Sequence, residues 1–274
     1  GGFALVYGKA AFTELCDGQH YDALGSFDRM GWAIAALGDV DGDGCDEVAV
    51  GATGEETHGD YYNQGVVRVL WGWGPSCGED SPSMTMLTRR VVGSGLGSAF
   101  GVGDVDGDGV VDLMVGGAEH RADFSEIGGV WLVPGSYLNE LPRVSFPEGE
   151  LPATEDTPWS VLTPPDGLES TYGLLGSEAA GLFGEALAVL PDGSVAVGVP
   201  QGGVGGTARS GGVLVYRFAE GFAEVPHLVM VGESFSPMGQ LGAELWATDE
   251  ELLVGAPDSD AMGVDLGALY RLPI

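Results

Sequence analysis

Apolar residues in this chain come in short runs that stop at glycine rather than recurring at helical spacing. Val48-Ala49-Val50-Gly51-Ala52, Leu113-Met114-Val115-Gly116-Gly117, Val195-Ala196-Val197-Gly198-Val199 and Leu252-Leu253-Val254-Gly255-Ala256 are such runs. Runs of this length, rich in β-branched residues and bounded by turn formers, predict strands. After each, another run opens on glycine: Gly65-Val66-Val67-Arg68-Val69, Gly129-Val130-Trp131-Leu132-Val133, Gly212-Val213-Leu214-Val215-Tyr216 and Gly267-Ala268-Leu269-Tyr270. Many short strands separated by many turns predict an all-β fold.

The runs belong to one repeated unit. Ahead of each lies a glycine preceded by a large apolar residue: Met30-Gly31, Leu96-Gly97, Phe183-Gly184 and Leu241-Gly242. From that glycine to the one closing the run is 20 residues in the first copy (31 to 51) and 19 in the second (97 to 116), but 14 in the third (184 to 198) and 13 in the fourth (242 to 255). The long copies hold an acidic loop that the short copies lack, while both flanking strands persist in all. Further runs, such as Met84-Thr85-Met86-Leu87 and Leu228-Val229-Met230, bring a unit to about four strands, the size of a propeller blade. One such unit cannot bury both of its faces, so units must stack. The expectation is a single β-propeller domain over 1–274, built of four-stranded antiparallel blades, with units roughly at 24–90, 91–135, 172–222 and 223–274. Residues 1–23 read as the end of a preceding unit or as a closing strand, because Gly2-Phe3-Ala4-Leu5-Val6-Tyr7 repeats the glycine-led run. The proline-rich stretch 136–171 reads as an insertion between blades, or conceals a degenerate fifth one. The four blades form either a compact ring or part of a larger propeller.

The acidic inserts, 39–47 and 104–112, read D-x-D-G-D-G-x-x-[ED]. Carboxylates at alternate positions converge when a glycine-containing loop curls around a centre, and hard oxygen donors favour Ca²⁺ over zinc or copper. Candidate ligands are Asp39, Asp41, Asp43, the Cys45 carbonyl and Glu47 in the first loop, with Asp46 the alternative to Glu47. In the second they are Asp104, Asp106, Asp108, the Val110 carbonyl and Asp112. An EF-hand needs flanking helices and a glutamate at the twelfth position. That position holds Val50 and Val115, inside predicted strands. Two Ca²⁺ ions are therefore expected, one per loop. Asp192 and Asp249 in the short copies are expected to be plain turn residues.

Charge and composition then narrow the function. The 41 Asp and Glu against 10 Lys and Arg give a net charge of −31, which excludes nucleic acid and disfavours anionic membranes. No apolar stretch reaches the roughly 20 residues that cross a bilayer, so no membrane insertion is expected. His20, His58, His120 and His227 are scattered, and neither HExxH nor GxSxG occurs, so no enzyme activity is expected. The cysteines, Cys16, Cys45 and Cys77, are odd in number and form no CxxC. Cys16 and Cys77 are the pair that an oxidising compartment would join. Tyr61, Tyr62, Trp73 and Trp159 fall outside the strand pattern and are candidate ligand contacts.

Phe183-Gly184 and its variants, the two D-x-D-x-D-G loops, and Gly255-Ala256-Pro257 resemble the FG-GAP repeats of integrin α-subunits and of bacterial secreted proteins. The resemblance implies a propeller with calcium on loops at one face. It also implies an extracellular or cell-surface setting, bacterial in origin, and adhesion or ligand binding. A protein or glycan ligand fits that reading, the glycan version being a calcium-dependent lectin. The rival is a structural subunit of a surface assembly or filament that self-associates through its first strand.

Overall fold

The structure is a computed structural model of the 274-residue chain. It describes residues 2–5, 19–22, 28–56, 64–73, 83–88, 94–117, 128–145, 160–162, 174–175, 182–204, 210–219, 221–222, 226–231, 239–259 and 267–274. Among these, four larger antiparallel sheets follow one another along the chain. The first is β3 (Met30–Gly38), β4 (Asp46–Ala52), β5 (Val66–Trp73) and β6 (Ser83–Thr88), each paired with the next. The second is β7 (Leu96–Gly103), β8 (Asp112–Gly117), β9 (Gly129–Val133) and β11 (Ser160–Leu162). The third is β13 (Leu187–Val189), β14 (Val195–Gly198), β16 (Gly212–Tyr216) and β17 (Leu228–Val231), and the fourth is β18 (Glu244–Ala247), β19 (Glu251–Ala256) and β20 (Ala268–Pro273). Two small pairs, β1 (Gly2–Leu5) with β2 (Gln19–Asp22) and β12 (Leu174–Leu175) with β15 (Gly203–Val204), complete the strands.

The stretch expected to be an insertion, 136–171, also serves the sheets. It supplies β11 to the second sheet, and β10 (Val144–Ser145), which pairs with β6 at the outer edge of the first. The short helix α1 (Gly135–Leu138) precedes β10, and Leu138 is buried in the core between the first two sheets.

The repeat shows in the backbone dihedrals as clearly as in the sequence. Two residues before each leading glycine the chain turns left-handed, at Arg29 (φ 54), Gly95 (φ 56), Leu182 (φ 67) and Gln240 (φ 50). The leading glycines follow at φ 87 (Gly31), 89 (Gly97), 90 (Gly184) and 87 (Gly242), where a side chain would be strained. The third strands are entered through Gly65, Gly128, Gly211 and Gly267, also at positive φ.

Successive sheets are pressed together at these glycines. A Cβ on Gly51 would lie 2.0 Å from the Gly97 carbonyl oxygen, one on Gly116 2.2 Å from that of Gly184, and one on Gly198 2.1 Å from that of Gly242. Parallel bridges Gly65–Leu96, Gly128–Phe183 and Gly211–Leu241 tie the same three junctions. Cores fill the space between neighbours: Val67, Val69 and Trp71 against Leu113, Val115 and Trp131; Val130 and Leu132 against Phe183, Leu187 and Val197; Ala188, Val213 and Val215 against Leu245, Leu252 and Val254. The series runs β3 on β7, β7 on β13, β13 on β18, and its closure into a ring is not shown among the described residues.

Candidate metal centre

Each acidic loop joins the first and second strands of its sheet, 39–45 between β3 and β4 and 104–111 between β7 and β8. Strand pairing fixes both ends of the loop, and the loop must then reverse within a few residues. Gly42 (φ 76) and Gly44 (φ 88), matched by Gly107 (φ 79) and Gly109 (φ 84), supply the left-handed steps. Space is not their reason, because a Cβ at any of the four would meet nothing within 4 Å.

The aspartates bond to the loop backbone in matching ways. Asp43 N donates to Asp41 Oδ1 (3.0 Å), Gly44 N to Asp39 Oδ2 (3.0 Å) and Cys45 N to Asp43 Oδ1 (2.8 Å). In the second loop Asp108 N donates to Asp106 Oδ1 (3.1 Å), Gly109 N to Asp104 Oδ2 (3.0 Å) and Val110 N to Asp108 Oδ1 (2.7 Å). Oxygens of Asp39, Asp41 and Asp43 lie within 4.8 Å of one another, as do those of Asp104, Asp106 and Asp108. Three carboxylates so close repel in the absence of a cation, so the donor set fits a hard divalent ion.

The ninth residues stand apart from those clusters. Glu47 and Asp112 are fully buried. Glu47 accepts from Val40 N at 2.9 Å and Gly72 N at 3.2 Å, one bond on each oxygen. Asp112 accepts from Val105 N at 2.8 Å, Asp106 N at 3.2 Å and Gly135 N at 2.8 Å. Burial pushes both carboxyls above the usual carboxylate range, and the backbone N–H groups pull back against it. Their geometry is that of a buried anchor between loop and neighbouring strand. Asp46 is exposed at the start of β4, with its backbone opposite Trp73.

Three features of the loops escaped the sequence reading. Arg143, from the segment leading into β10, donates Nη1 to Asp41 Oδ2 at 2.7 Å and lies over the Trp71 ring at 3.6 Å. Asn139 Nδ2 donates to the Val40 carbonyl at 3.0 Å. No local motif announces contacts across about a hundred residues of chain; they follow from β10 pairing with β6. The third feature is that Cys45 is disulfide-bonded. Cys16 and Cys77, the pair expected from the sequence, both lie outside the described residues. Tyr61, Tyr62, Trp159 and the side chain of Trp73 also lie outside the described residues.

In the short copies Asp192 Oδ1 accepts from Ser194 N at 3.0 Å, the bond of a turn residue. The turn presses on the second acidic loop, since a Cβ on Gly193 would lie 3.0 Å from the Asp104 carbonyl oxygen. Beside it an open cleft of about 460 Å³ is lined by Asp104, Gly107, Asp192, Thr248 and Asp249.

The described residues form antiparallel sheets tied through glycine, two of them with a D-x-D-x-D loop between their first two strands. The FG-GAP repeat signature matches residues 30–70, from β3 through the first acidic loop into β5. The chain is also similar to integrin alpha-X of Homo sapiens, 39% identical over 111 residues. That match covers 37% of this chain and 9% of the integrin, so the chain spans less than a tenth of that relative. No helix of the described residues is long and apolar enough to cross a membrane.

Proposed function

We propose that this chain is a non-enzymatic, extracellular calcium-binding domain of the β-propeller type that binds a protein ligand. The carrying observation is the duplication of one loop geometry. Two segments 65 residues apart (39 and 104) gather three carboxylates each, with matching backbone bonds and matching glycine dihedrals. Similarity to an integrin α-subunit supports the ligand-binding role. The disulfide at Cys45 fits an oxidising compartment. Asp39, Asp41 and Asp43 would hold the first ion, with the Cys45 carbonyl, and Asp104, Asp106 and Asp108 the second, with the Val110 carbonyl. Glu47 and Asp112 would close each shell by rotating one oxygen inward. A bound ion would neutralise each acidic cluster and fix the hairpin whose loop it fills.

Calcium titration by calorimetry tests this reading. Two equivalents are expected for the unmodified chain, and one each for Asp41→Ala and Asp106→Ala. Asp192→Ala should leave the stoichiometry at two. Absence of bound calcium in the unmodified chain would reject the assignment.

A further inference from the structure

The two acidic loops match in backbone but differ in what holds their second halves. In the second loop Val110 packs on the core between the first two sheets. A Cβ on Gly135, where α1 begins, would lie 2.7 Å from Val110 Cγ1 and 2.1 Å from the Val111 carbonyl oxygen, so this half of the loop is pressed against that helix. The base of the loop is regular as well: Val102 pairs with Leu113 and Gly103 with Asp112 without a shift.

Among the described residues the first loop has neither support. Its base is irregular, with register shifts between Ala36 and Gly38 on β3 and between Asp46 and Val48 on β4. Cys45 stands in the place of Val110 and belongs to none of the core clusters of the described residues. Asp46, in the place of Val111, is exposed. Asn139 and Arg143 do tie this loop, but only its first half, at Val40 and Asp41. On the second half the tie is the disulfide at Cys45. Cys45 N also donates to Asp43 Oδ1 at 2.8 Å, so the residue that carries the disulfide positions the third carboxylate.

We propose that the Cys45 disulfide is a redox control on the first acidic loop, one that the second loop, with valine at that position, lacks. This rests on the reading of both loops as calcium sites. With the bond intact, the Cys45 carbonyl and Asp43 are held together, and an ion has little ordering left to impose. A dithiol reductant opens the bond: it supplies two electrons and two protons, two protein thiols form, and the reductant closes its own disulfide. The second half of the loop then gains freedom that calcium must remove, so affinity falls at this loop and not at the other. The dependence is reciprocal, because an ion that binds the oxidised loop more tightly favours the oxidised form by the same factor.

The test isolates each loop in the full chain, the first with Asp106→Ala and the second with Asp41→Ala, and titrates calcium by calorimetry before and after treatment with dithiothreitol. Reduction is expected to weaken calcium binding by about tenfold in Asp106→Ala, within the usual span of coupling between linked sites, and to leave Asp41→Ala unchanged. In a glutathione redox buffer, calcium is expected to shift the thiol–disulfide equilibrium of Asp106→Ala toward the disulfide by the same factor, read by alkylation and mass spectrometry. Equal affinities of oxidised and reduced Asp106→Ala, or a redox equilibrium that ignores calcium, would overturn the proposal alone. Loss of binding in reduced Asp41→Ala would also overturn it, making the disulfide a support of the whole domain. Absence of calcium from the oxidised, unmodified chain would overturn it together with the reading on which it rests.

Discussion

Asp41 and Asp106 occupy the same place in two loops of matching geometry, but Asp41 also receives Arg143. The guanidinium takes Oδ2, leaving Oδ1 to the Asp43 N–H. A metal entering the first loop must therefore share Asp41 with a fixed cation. The pair is part-exposed, so its worth is modest. Arg143→Met, which keeps cover over Trp71 without the charge, should raise calcium affinity at the first loop by a factor of about two to five, the equivalent of ~0.5–1 kcal/mol. The second loop should be unchanged. Calorimetry in the Asp106→Ala background, where only the first loop binds, measures this directly, and a fall in affinity would show that Arg143 orients Asp41 rather than competing for it.

At the scale of the element, the units are held in place by close backbone contact. Gly51, Gly116 and Gly198 each face a carbonyl of the next sheet at a distance no Cβ tolerates. Gly51→Ala should force the first two sheets apart and cost ~3 kcal/mol or more, read as a large drop in the thermal midpoint. Gly255 is the same position in the fourth sheet, where an added Cβ would meet only Glu244 of its own sheet, the nearest atom at 3.2 Å. Gly255→Ala should therefore cost less than about 1 kcal/mol. Equal costs at the two glycines would mean that the junction contact is not what the glycine serves. The outer face of the fourth sheet is correspondingly bare, with Trp246 of β18 69% and Leu269 of β20 66% exposed.

For the whole molecule, a charge of −31 and two buried carboxylates act in the same direction. Glu47 and Asp112 have folded-state values raised by burial, so the fold binds their protons more tightly than the unfolded chain does. Without metal, their ionised forms cost stability above the raised values. That cost disappears as pH falls to the ordinary carboxylate range near 4. Chelated protein should therefore gain thermal stability on mild acidification from neutrality. Calcium-loaded protein should lose stability over the same range, because protons compete with the ion. Melts across pH with calcium and with EDTA check both signs, and EDTA at neutral pH should lower the midpoint.

The sequence by itself determined the strands, their fourfold recurrence and the two acidic loops. Those features are local: alternation and turn residues set the strands, and glycine spacing sets the hairpins. It also located the three aspartates that converge in each loop, Asp39, Asp41 and Asp43 in the first and Asp104, Asp106 and Asp108 in the second, since carboxylates at alternate positions of a tight turn have few other places to go. Tertiary structure decided the rest. Whether Glu47 and Asp112 face an ion or the backbone depends on strand β5 and helix α1, which come from elsewhere in the chain. That β10 reaches back to the first sheet, bringing Arg143 to Asp41, depends on a pairing between residues 83–84 and 144–145 that no motif encodes. The disulfide at Cys45 escaped for the same reason: spacing along a chain does not report distance in space, and only the packing of sheet on sheet sets which groups meet.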